Sequence, residues 1–100
     1  MLIHYSKDLN YDEEIKEGLV LVDFFATWCG PCNMLTPELE KLDKEAEIKI
    51  LKIDVDEFPE IARRYHIMSI PTLLLFKNGS QINSSLGYMP LKHLKQFIEK

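Results

Sequence analysis

The sequence predicts an α/β fold in which a central mixed five-stranded sheet is flanked by four helices, in the order βαβαβαββα. Leu19–Ala26 is an apolar run without alternation, and Ile48–Val55 is a second run made mostly of β-branched residues and leucine. Both are typical of strands that are covered on both faces. Asn78-Gly79 is a strong signal for a two-residue hairpin turn. We therefore expect three parallel strands joined by helical crossovers, followed by an antiparallel hairpin and a covering helix.

The first half of the chain contains two predicted strands and two predicted helices. Leu2–Tyr5 is compatible with a short strand, and Asp8–Glu17 with a weak helix that ends at Gly18, a typical helix C-cap. After the strand Leu19–Ala26, a long helix is expected from Cys29–Ala46. Its inward face is an apolar stripe formed by Leu35, Leu39 and Leu42.

The middle of the chain adds a strand and a short helix. The strand Ile48–Val55 is followed by a helix that begins at Phe58 or Pro59 and ends at Tyr65. A proline suits the first turn of a helix, because the N–H that it lacks would have no partner there. Residues 66–69 then form a loop.

The last part of the chain is the predicted hairpin and its covering helix. Pro71 cannot donate a ladder hydrogen bond, so it belongs just before the strand Thr72–Phe76. The return strand Gln81–Leu86 is polar enough to be an edge strand. Pro90 begins a final amphipathic helix whose inward residues are Leu91, Leu94, Phe97 and Ile98.

The composition narrows the possible classes of function. The 100 residues suit a single domain, residues 1–100, and the 46% hydrophobic content is ordinary for a globular fold. The net charge is −4 without a basic block, which argues against nucleic acid as a partner. The N-terminal residues show no signal-peptide pattern, and no apolar run is long enough to span a bilayer. We therefore expect a monomeric cytoplasmic protein without a membrane partner.

The most informative stretch is Trp28-Cys29-Gly30-Pro31-Cys32, which holds both cysteines of the chain where a buried strand ends and a helix begins. The first backbone N–H groups of a helix lack internal partners, and the helix dipole adds partial positive charge there. Both effects favour the thiolate of Cys29, so we expect this residue to be an exposed nucleophile near neutral pH. Cys32 lies about one turn further into the helix and should be more buried.

Two other interpretations of the cysteine pair are weaker. A structural metal site wants four ligands, and His4, His66 and His93 show no ligand spacing. A purely structural disulfide would close so short a loop that it removes little chain entropy. The pair is therefore better suited to a redox switch than to a metal site or a staple.

Both runs contain charged residues, and two of them, Asp23 and Lys52, are candidates for the site. Asp23 lies in the first run, where burial penalises the carboxylate and should raise its pKa. It is either a polar group satisfied by a water or a neighbour, or a proton acceptor and donor close to the cysteines. We favour the second interpretation because its strand points at the pair. Lys52, in the second run, either approaches Asp23 or is exposed at a strand end, because the sequence does not specify the register.

Four short sequence features of the chain are informative when they are taken together. They are the segment Val22–Cys32, the tripeptide Ile70-Pro71-Thr72, the segment Phe76–Gly79 and the single residue Gly87. Together they resemble the active-site segment, the cis-proline loop, the hairpin and the glycine beside the site of the thioredoxin family. The resemblance covers essentially the whole chain. The Gly-Pro spacer argues against glutaredoxins, which usually carry Cys-Pro-Tyr-Cys.

The resemblance implies a thioredoxin fold and a dithiol–disulfide reductase. In such a cycle Cys29 is the nucleophile that attacks a partner's disulfide, and Cys32 resolves the mixed disulfide. Asp23 and Lys52 match the family's buried aspartate and its lysine partner. The match implies that Asp23 takes the proton of the resolving thiol and that Lys52 modulates Asp23. Pro71, in the cis form, would hold a backbone edge to which an extended substrate can add as a short strand.

The resemblance also implies partners and a means of recharging. Disulfide-containing target proteins would meet an apolar rim formed by Trp28, Gly30, Pro31, Met68, Ile70, Gly87 and Tyr88. The electrons would come from a separate thioredoxin reductase, either a flavoprotein that uses NADPH or a ferredoxin-linked enzyme. No bound cofactor is expected, because the redox group is the Cys29–Cys32 disulfide itself.

Three positions depart from the family pattern. Phe25 stands where a second tryptophan is frequent. Tyr88 is bulkier than the small residue often found after the glycine, which should narrow the range of partners. Asn33 stands where a lysine is frequent, and the missing charge should weaken the stabilisation of the Cys29 thiolate.

Two alternative functions would use the same residues. A non-redox binding module would use the apolar rim as a subunit or scaffold, but the presence of both cysteines and Asp23 argues against it. A disulfide-forming oxidant would run the same chemistry in the opposite direction. The Gly-Pro spacer and the absence of a signal-peptide pattern count against that function.

Replacing Asn33 with lysine should increase the fraction of Cys29 that is thiolate at neutral pH, because a nearby cation favours the charged form of the sulfur. The ultraviolet absorbance of the thiolate, followed through a pH titration of the reduced protein, measures that fraction. Asn33→Gln lengthens the side chain without adding charge and should titrate like the unsubstituted protein. An unchanged titration in Asn33→Lys would contradict a role of this position in stabilising the sulfur.

Overall fold

Five strands form one mixed sheet in the order β1-β3-β2-β4-β5 in a computed structural model that describes residues 1–99. The elements, in chain order, are β1 (Leu2–His4), α1 (Tyr11–Glu14), β2 (Leu19–Phe25), α2 (Gly30–Glu45), β3 (Lys49–Asp54), α3 (Pro59–Arg64), β4 (Thr72–Lys77), β5 (Ser80–Leu86) and α4 (Leu91–Ile98). This order confirms the predicted βαβαβαββα arrangement. The strands, α2 and α3 match their predicted bounds to within one residue. No helix within residues 1–99 has both the length and the apolar character needed to traverse a bilayer.

The central strand, β2, leads to the cysteine pair. It pairs in parallel with β3 and antiparallel with β4, and residues 20–24 are buried because both faces of the sheet are covered. In this register Asp23 lies beside Lys52 on one side and Leu73 on the other. The parallel strands β2 and β3 end at the same edge of the sheet, and the chain leaves β2 there toward the cysteines.

The two faces of the sheet bury two separate apolar cores. Val20, Val22 and Phe24 of β2 belong to the core that includes residues of α1 and α3. Leu21 belongs to the other core, which α2 and α4 cover. The α2 residues of that core are the predicted stripe Leu35, Leu39 and Leu42, all fully buried. Burying one leucine contributes about 2 kcal/mol, so the stripe anchors α2, and with it the cysteine pair, to the sheet.

The first helix is shorter than predicted. Instead of Asp8–Glu17, α1 spans only Tyr11–Glu14. The side chain of Asn10 accepts a hydrogen bond from the backbone N–H of Glu13 at 3.0 Å and caps the helix. The helix therefore begins at Tyr11, three residues after the predicted start. Ile15 is the C-cap and is buried in the core. The predicted bounds were wrong because this local cap and the burial of Ile15 outweigh a weak helical pattern.

Gly18 is not a helix C-cap but a contact between β2 and the hairpin. Its φ is +72°, a conformation that glycine adopts without steric cost. Its N–H donates to Oδ1 of Asn78 at 2.8 Å, and its carbonyl accepts from the N–H of Asn78 at 2.9 Å. Asn78 and Gly79 both have positive φ, at 50° and 85°, as two-residue hairpin turns require. The predicted hairpin is confirmed, and β5 lies at an edge of the sheet.

Candidate redox site

The two cysteines form a disulfide at the start of α2. Cys29 is the N-cap residue, and its Sγ accepts a hydrogen bond from the backbone N–H of Cys32 at 3.2 Å. The two Cα atoms lie 5.2 Å apart. Pro31 occupies the first turn of the helix, where its missing N–H costs no hydrogen bond. The Cys29 sulfur therefore lies among backbone N–H groups that can stabilise negative charge.

The cysteine pair is less accessible than expected. Cys32 is more buried than Cys29, as predicted, with exposed fractions of 1% and 5%. The expectation that Cys29 is exposed was nevertheless wrong. Phe25, Val55 and Ile70 pack against the disulfide and cover it. A partner can therefore reach the sulfur of Cys29 only through the small part of this residue that is exposed.

The loop before β4 forms one wall of the site. The peptide bond between Ile70 and Pro71 is cis, and the carbonyl oxygen of Ile70 lies 3.8 Å from Sγ of Cys29. The carbonyl oxygen of Pro71 accepts a hydrogen bond from the N–H of Gly87 at 2.8 Å. These contacts place the backbone of residues 70–71 beside the disulfide and bring Gly87 to the same wall.

Asp23 and Lys52 form a buried ion pair between β2 and β3. Nζ of Lys52 donates to Oδ2 of Asp23 at 2.8 Å, and both side chains are buried. Of the two positions left open for Lys52, the one beside Asp23 is therefore correct, and the exposed strand end is wrong. Burial raises the pKa of Asp23, and the opposing effects of Lys52 and His4 are smaller. Oδ1 of Asp23 accepts no hydrogen bond from residues 1–99.

Thr36, which was absent from the sequence predictions, joins this ion pair to the turn that carries Cys32. Nζ of Lys52 donates to Oγ1 of Thr36 at 3.4 Å, and the same hydroxyl donates to the carbonyl oxygen of Cys32 at 3.2 Å. The sequence contains one indication of this role. Thr36 follows Cys32 by four residues, and residues four apart on a helix share a face. The contact with Lys52 depends on how α2 packs on β3, which the sequence does not show.

The predicted rim residues lie at the surface, and some of them share a cavity. Trp28 and Met68 are 72% and 94% exposed. Gly30, Pro31 and Tyr88 are also exposed, whereas Ile70 and Gly87 are partly buried. A cavity of about 200 Å³ beside the disulfide is lined by Trp28, Val55, Ala62, Ile67, Met68, Ser69 and Ile70. The structure thus brings Trp28, Met68 and Ile70 together, but Tyr88 does not line this cavity.

Asp56 orients the indole ring of Trp28 and was also missed by the sequence predictions. Nε1 of Trp28 donates to Oδ2 of Asp56 at 2.8 Å. The backbone N–H of Asp56 donates to Oδ1 of Asp54 at 2.9 Å, so the turn after β3 is itself held by a local hydrogen bond. The sequence shows that two aspartates, Asp54 and Asp56, lie close to the end of a strand. It does not show that one of them contacts Trp28.

The three histidines of the chain lie on different parts of the fold, so they cannot form a metal site together. His4 is in β1, His66 follows α3 and His93 is in α4. Within residues 1–99, His, Cys, Asp and Glu side chains form no group of three or more that could hold a metal ion. The redox-active group in this part of the chain is the Cys29–Cys32 disulfide.

A family model described as thioredoxin matches residues 2–100 of this chain. The chain belongs to the thioredoxin family. A thioredoxin from Staphylococcus saprophyticus is 48% identical, and the aligned region covers 100% of this chain and 98% of that thioredoxin. A thioredoxin from Staphylococcus aureus strain N315 is 46% identical with the same coverage.

Solved thioredoxin structures share the fold. A mutant thioredoxin from Halobacterium salinarum matches with a TM-score of 0.89 and 36% identity, over 98% of this chain and 88% of that one. The reduced thioredoxin pre-protein of Schistosoma mansoni matches with a TM-score of 0.86 and 37% identity, over 98% and 95% of the two chains. The predicted thioredoxin fold is confirmed. As a thioredoxin-family member with a Cys29–Cys32 disulfide, the chain is a thiol–disulfide oxidoreductase of the protein-disulfide reductase class.

Replacing Asp23 with asparagine should change how stability depends on pH. Because burial raises the pKa of Asp23 in the folded protein, the unfolded chain loses this proton at lower pH than the folded protein does. The free energy of unfolding therefore falls as pH rises between the two pKa values. Asp23→Asn lacks this titration. Its stability relative to the unsubstituted protein should rise from about pH 4, by at most roughly 1.4 kcal/mol per pH unit, and level off above the folded pKa.

Urea unfolding of the oxidised proteins across this pH range measures the difference. Asp12→Asn is the matched control, because its hydrogen bond with Arg64 lowers the pKa of the exposed Asp12 carboxyl. Its stability relative to the unsubstituted protein should instead fall slightly as pH rises. A relative stability of Asp23→Asn that stays flat with pH would show that folding does not perturb this carboxyl.

Proposed function

We propose that this chain reduces disulfides in a range of cytoplasmic target proteins, and that residues 1–100 act as a single monomeric domain. The observation that carries the proposal is the position of Cys29 at the N-cap of α2, where its Sγ accepts the N–H of Cys32. The same N–H group and the positive end of the helix stabilise negative charge on this sulfur after reduction. A cysteine in this position is a nucleophile near neutral pH.

In the first step, the thiolate of Cys29 attacks one sulfur of the target's disulfide. A bond forms between Cys29 and that sulfur while the disulfide of the target breaks. The second target sulfur leaves as a thiolate and takes up a proton from water. The product is a mixed disulfide between Cys29 and the target.

In the second step, Cys32 resolves the mixed disulfide. Its thiol loses a proton to Asp23, directly or through water, because burial raises the pKa of Asp23 and makes its carboxylate a stronger base than that of an exposed aspartate. The Cys32 thiolate attacks Sγ of Cys29, the Cys29–Cys32 bond forms, and the target's sulfur leaves as a thiolate. Lys52 modulates this step, because its ammonium partly offsets the effect of burial on Asp23.

Target proteins dock on the apolar rim around the disulfide. An extended segment of the target would lie along the backbone edge at Pro71, because the carbonyl oxygen of Ile70 is next to Cys29. The cavity beside Trp28 and Met68 would receive an apolar side chain of that segment. The full proposed contact surface consists of Trp28, Gly30, Pro31, Met68, Ile70, Gly87 and Tyr88.

A separate thioredoxin reductase would return the two electrons and two protons that each cycle consumes. That reductase is a flavoprotein that uses NADPH, or a ferredoxin-linked enzyme. The cycle needs no cofactor bound to this chain, since Cys29 and Cys32 carry the electrons. A disulfide with this role is transient in a reducing compartment, which supports a cytoplasmic location. The net charge of −4 supports protein partners rather than nucleic acid.

The reduction potential should lie near roughly −270 mV, the known value for thioredoxin. Equilibration against defined thiol–disulfide buffers, followed by the fluorescence of Trp28, measures it, because Trp28 is the sole tryptophan and adjoins the disulfide. A potential of roughly −120 to −180 mV, the range of dedicated oxidants and isomerases, would overturn the proposed direction of electron flow and the cytoplasmic location.

The double variant Cys29→Ser, Cys32→Ser separates reduction from simple binding. The variant keeps the rim but cannot form a disulfide, so it should lose all ability to support disulfide reduction. If its biological effect and partner binding persisted, a non-redox binding module would be the better description of the chain.

A further inference from the structure

The ammonium of Lys52 has three close neighbours, two of which accept its hydrogen bonds. It donates to Oδ2 of Asp23 at 2.8 Å and to Oγ1 of Thr36 at 3.4 Å, and it lies 4.4 Å from the centre of the Phe25 ring. A buried ammonium needs all of its donors matched, because each unmatched donor carries a desolvation cost. The Thr36 hydroxyl is therefore part of what holds Lys52 in place.

The Thr36 hydroxyl has two partners that lie on different elements. It accepts from Lys52, which is in β3, and it donates to the carbonyl oxygen of Cys32, which is in the first turn of α2. A threonine in a helix often bonds the carbonyl four residues earlier, and that bond alone is a local feature. The bond from Lys52, 16 residues away in sequence, makes the same hydroxyl a link between the sheet and the cysteine-bearing turn.

We propose that Thr36 is a positioning residue for the resolving step: its hydroxyl holds the Lys52 ammonium against Asp23 and ties that pair to the turn that carries Cys32. Thr36 contacts neither the target nor the reacting sulfurs in this role. It acts through Lys52, whose position determines how strongly the Asp23 carboxylate is stabilised. The proposal rests on the proposed function, in which Asp23 accepts the proton of Cys32.

Every element packed around Asp23 must be considered before its titration is interpreted. Lys52 faces it from β3, and the charge of His4 on β1 also acts on it. From α2, Thr36 contacts Lys52, and β4 presents the apolar Leu73 at the paired position. Because the charge of His4 also acts on Asp23, His4→Gln is introduced into all the proteins compared.

Thr36→Val is the main variant, because valine matches the shape of threonine and removes only the hydroxyl. Lys52 then loses one partner and its tie to α2, so the Asp23 carboxylate is less stabilised and the pKa of Asp23 should rise above its value in the unsubstituted protein. The carbon-13 shift of the Asp23 carboxyl in the oxidised protein reports this titration directly. Thr36→Ser keeps the hydroxyl and should preserve the original titration.

The resolving step provides the second measurement. Rapid mixing of the reduced protein with a chromogenic aromatic disulfide releases one thiol in the bimolecular attack by Cys29 and another in the unimolecular attack by Cys32. At a pH below the measured titration of Asp23, the second rate should fall about fivefold in Thr36→Val, because less Asp23 is ionised there, and it should recover at higher pH. The first rate should not change. Thr36→Ser should match the unsubstituted protein in both steps.

Several outcomes would overturn the proposal. One is an Asp23 titration in Thr36→Val that matches the unsubstituted protein, and another is a Thr36→Ser variant that behaves like Thr36→Val. A second rate that falls equally at every pH would indicate a structural effect of the substitution instead. If Thr36→Val does not fold, Thr36→Ala removes the same hydroxyl. The same Asp23 titration and the same second rate are then measured in Thr36→Ala, with the same expected results.

Asp23→Asn distinguishes a failure of the proposed function from a failure of this inference. If Asp23→Asn resolves the mixed disulfide at the original rate, Asp23 is not the base and the proposed role of that residue fails. The Asp23 titration in the oxidised protein does not depend on that role. A shifted titration in Thr36→Val would then still show that Thr36 positions Lys52, whereas an unshifted one would refute it.

Discussion

The parallel pairing of β2 with β3 is the constraint on which the site depends. It places Asp23 beside Lys52 and brings the carboxyl ends of both strands to the edge of the sheet where the disulfide lies. Because successive side chains point to opposite faces, a slip of one residue would separate the two charges while leaving each buried. An unpaired buried charge costs about 3–5 kcal/mol. The apolar residues of two cores oppose the same slip.

The two sulfurs lie about one helical turn apart but have different surroundings. Cys29 lies at the helix end, where its sulfur accepts a hydrogen bond from the backbone N–H of Cys32 and lies beside the carbonyl of Ile70. Cys32 is more deeply buried, and its carbonyl is joined through Thr36 to the pair of Asp23 and Lys52. In the proposed cycle this difference assigns the attack to the first sulfur and the resolution to the second. The backbone and one buried ion pair thus give two chemically identical side chains different roles.

Burial has opposite consequences for access and for chemistry. The residues that cover the disulfide leave Cys29 only 5% exposed, which restricts the directions from which a partner can reach its sulfur. Asp23 is fully buried as well, and burial raises the pKa of its carboxyl. The exposed ring of Trp28, held by Asp56, offers apolar area next to the disulfide. Access to the sulfur of Cys29 and the titration of Asp23 therefore both depend on how the elements pack around the sheet.

Strands and helices with strong local patterns were predictable from the sequence. The apolar run of β2, interrupted only by Asp23, specifies a strand buried on both faces. The leucine stripe of α2 specifies the face of that helix that packs on the sheet. The bounds of the first helix were not predictable, because they depend on the hydrogen bond that the Asn10 side chain accepts and on the burial of Ile15. The exposure of Cys29 was also misjudged, since the residues that cover it come from β2, the turn after β3 and the loop before β4.

By itself, the sequence determined the order of the elements, the position of the cysteine pair between a strand and a helix, the hairpin turn and the presence of Asp23 and Lys52 in the two buried strands. These features depend on residues that are adjacent or one helical turn apart. Only the tertiary structure decided that Lys52 meets Asp23, that Thr36 joins them to Cys32, and that Asp56 holds Trp28. Those partners lie 16 to 29 residues apart in the chain. Their contacts follow from strand register and from the packing of a helix on a sheet, which depend on the cores as a whole and not on any local pattern.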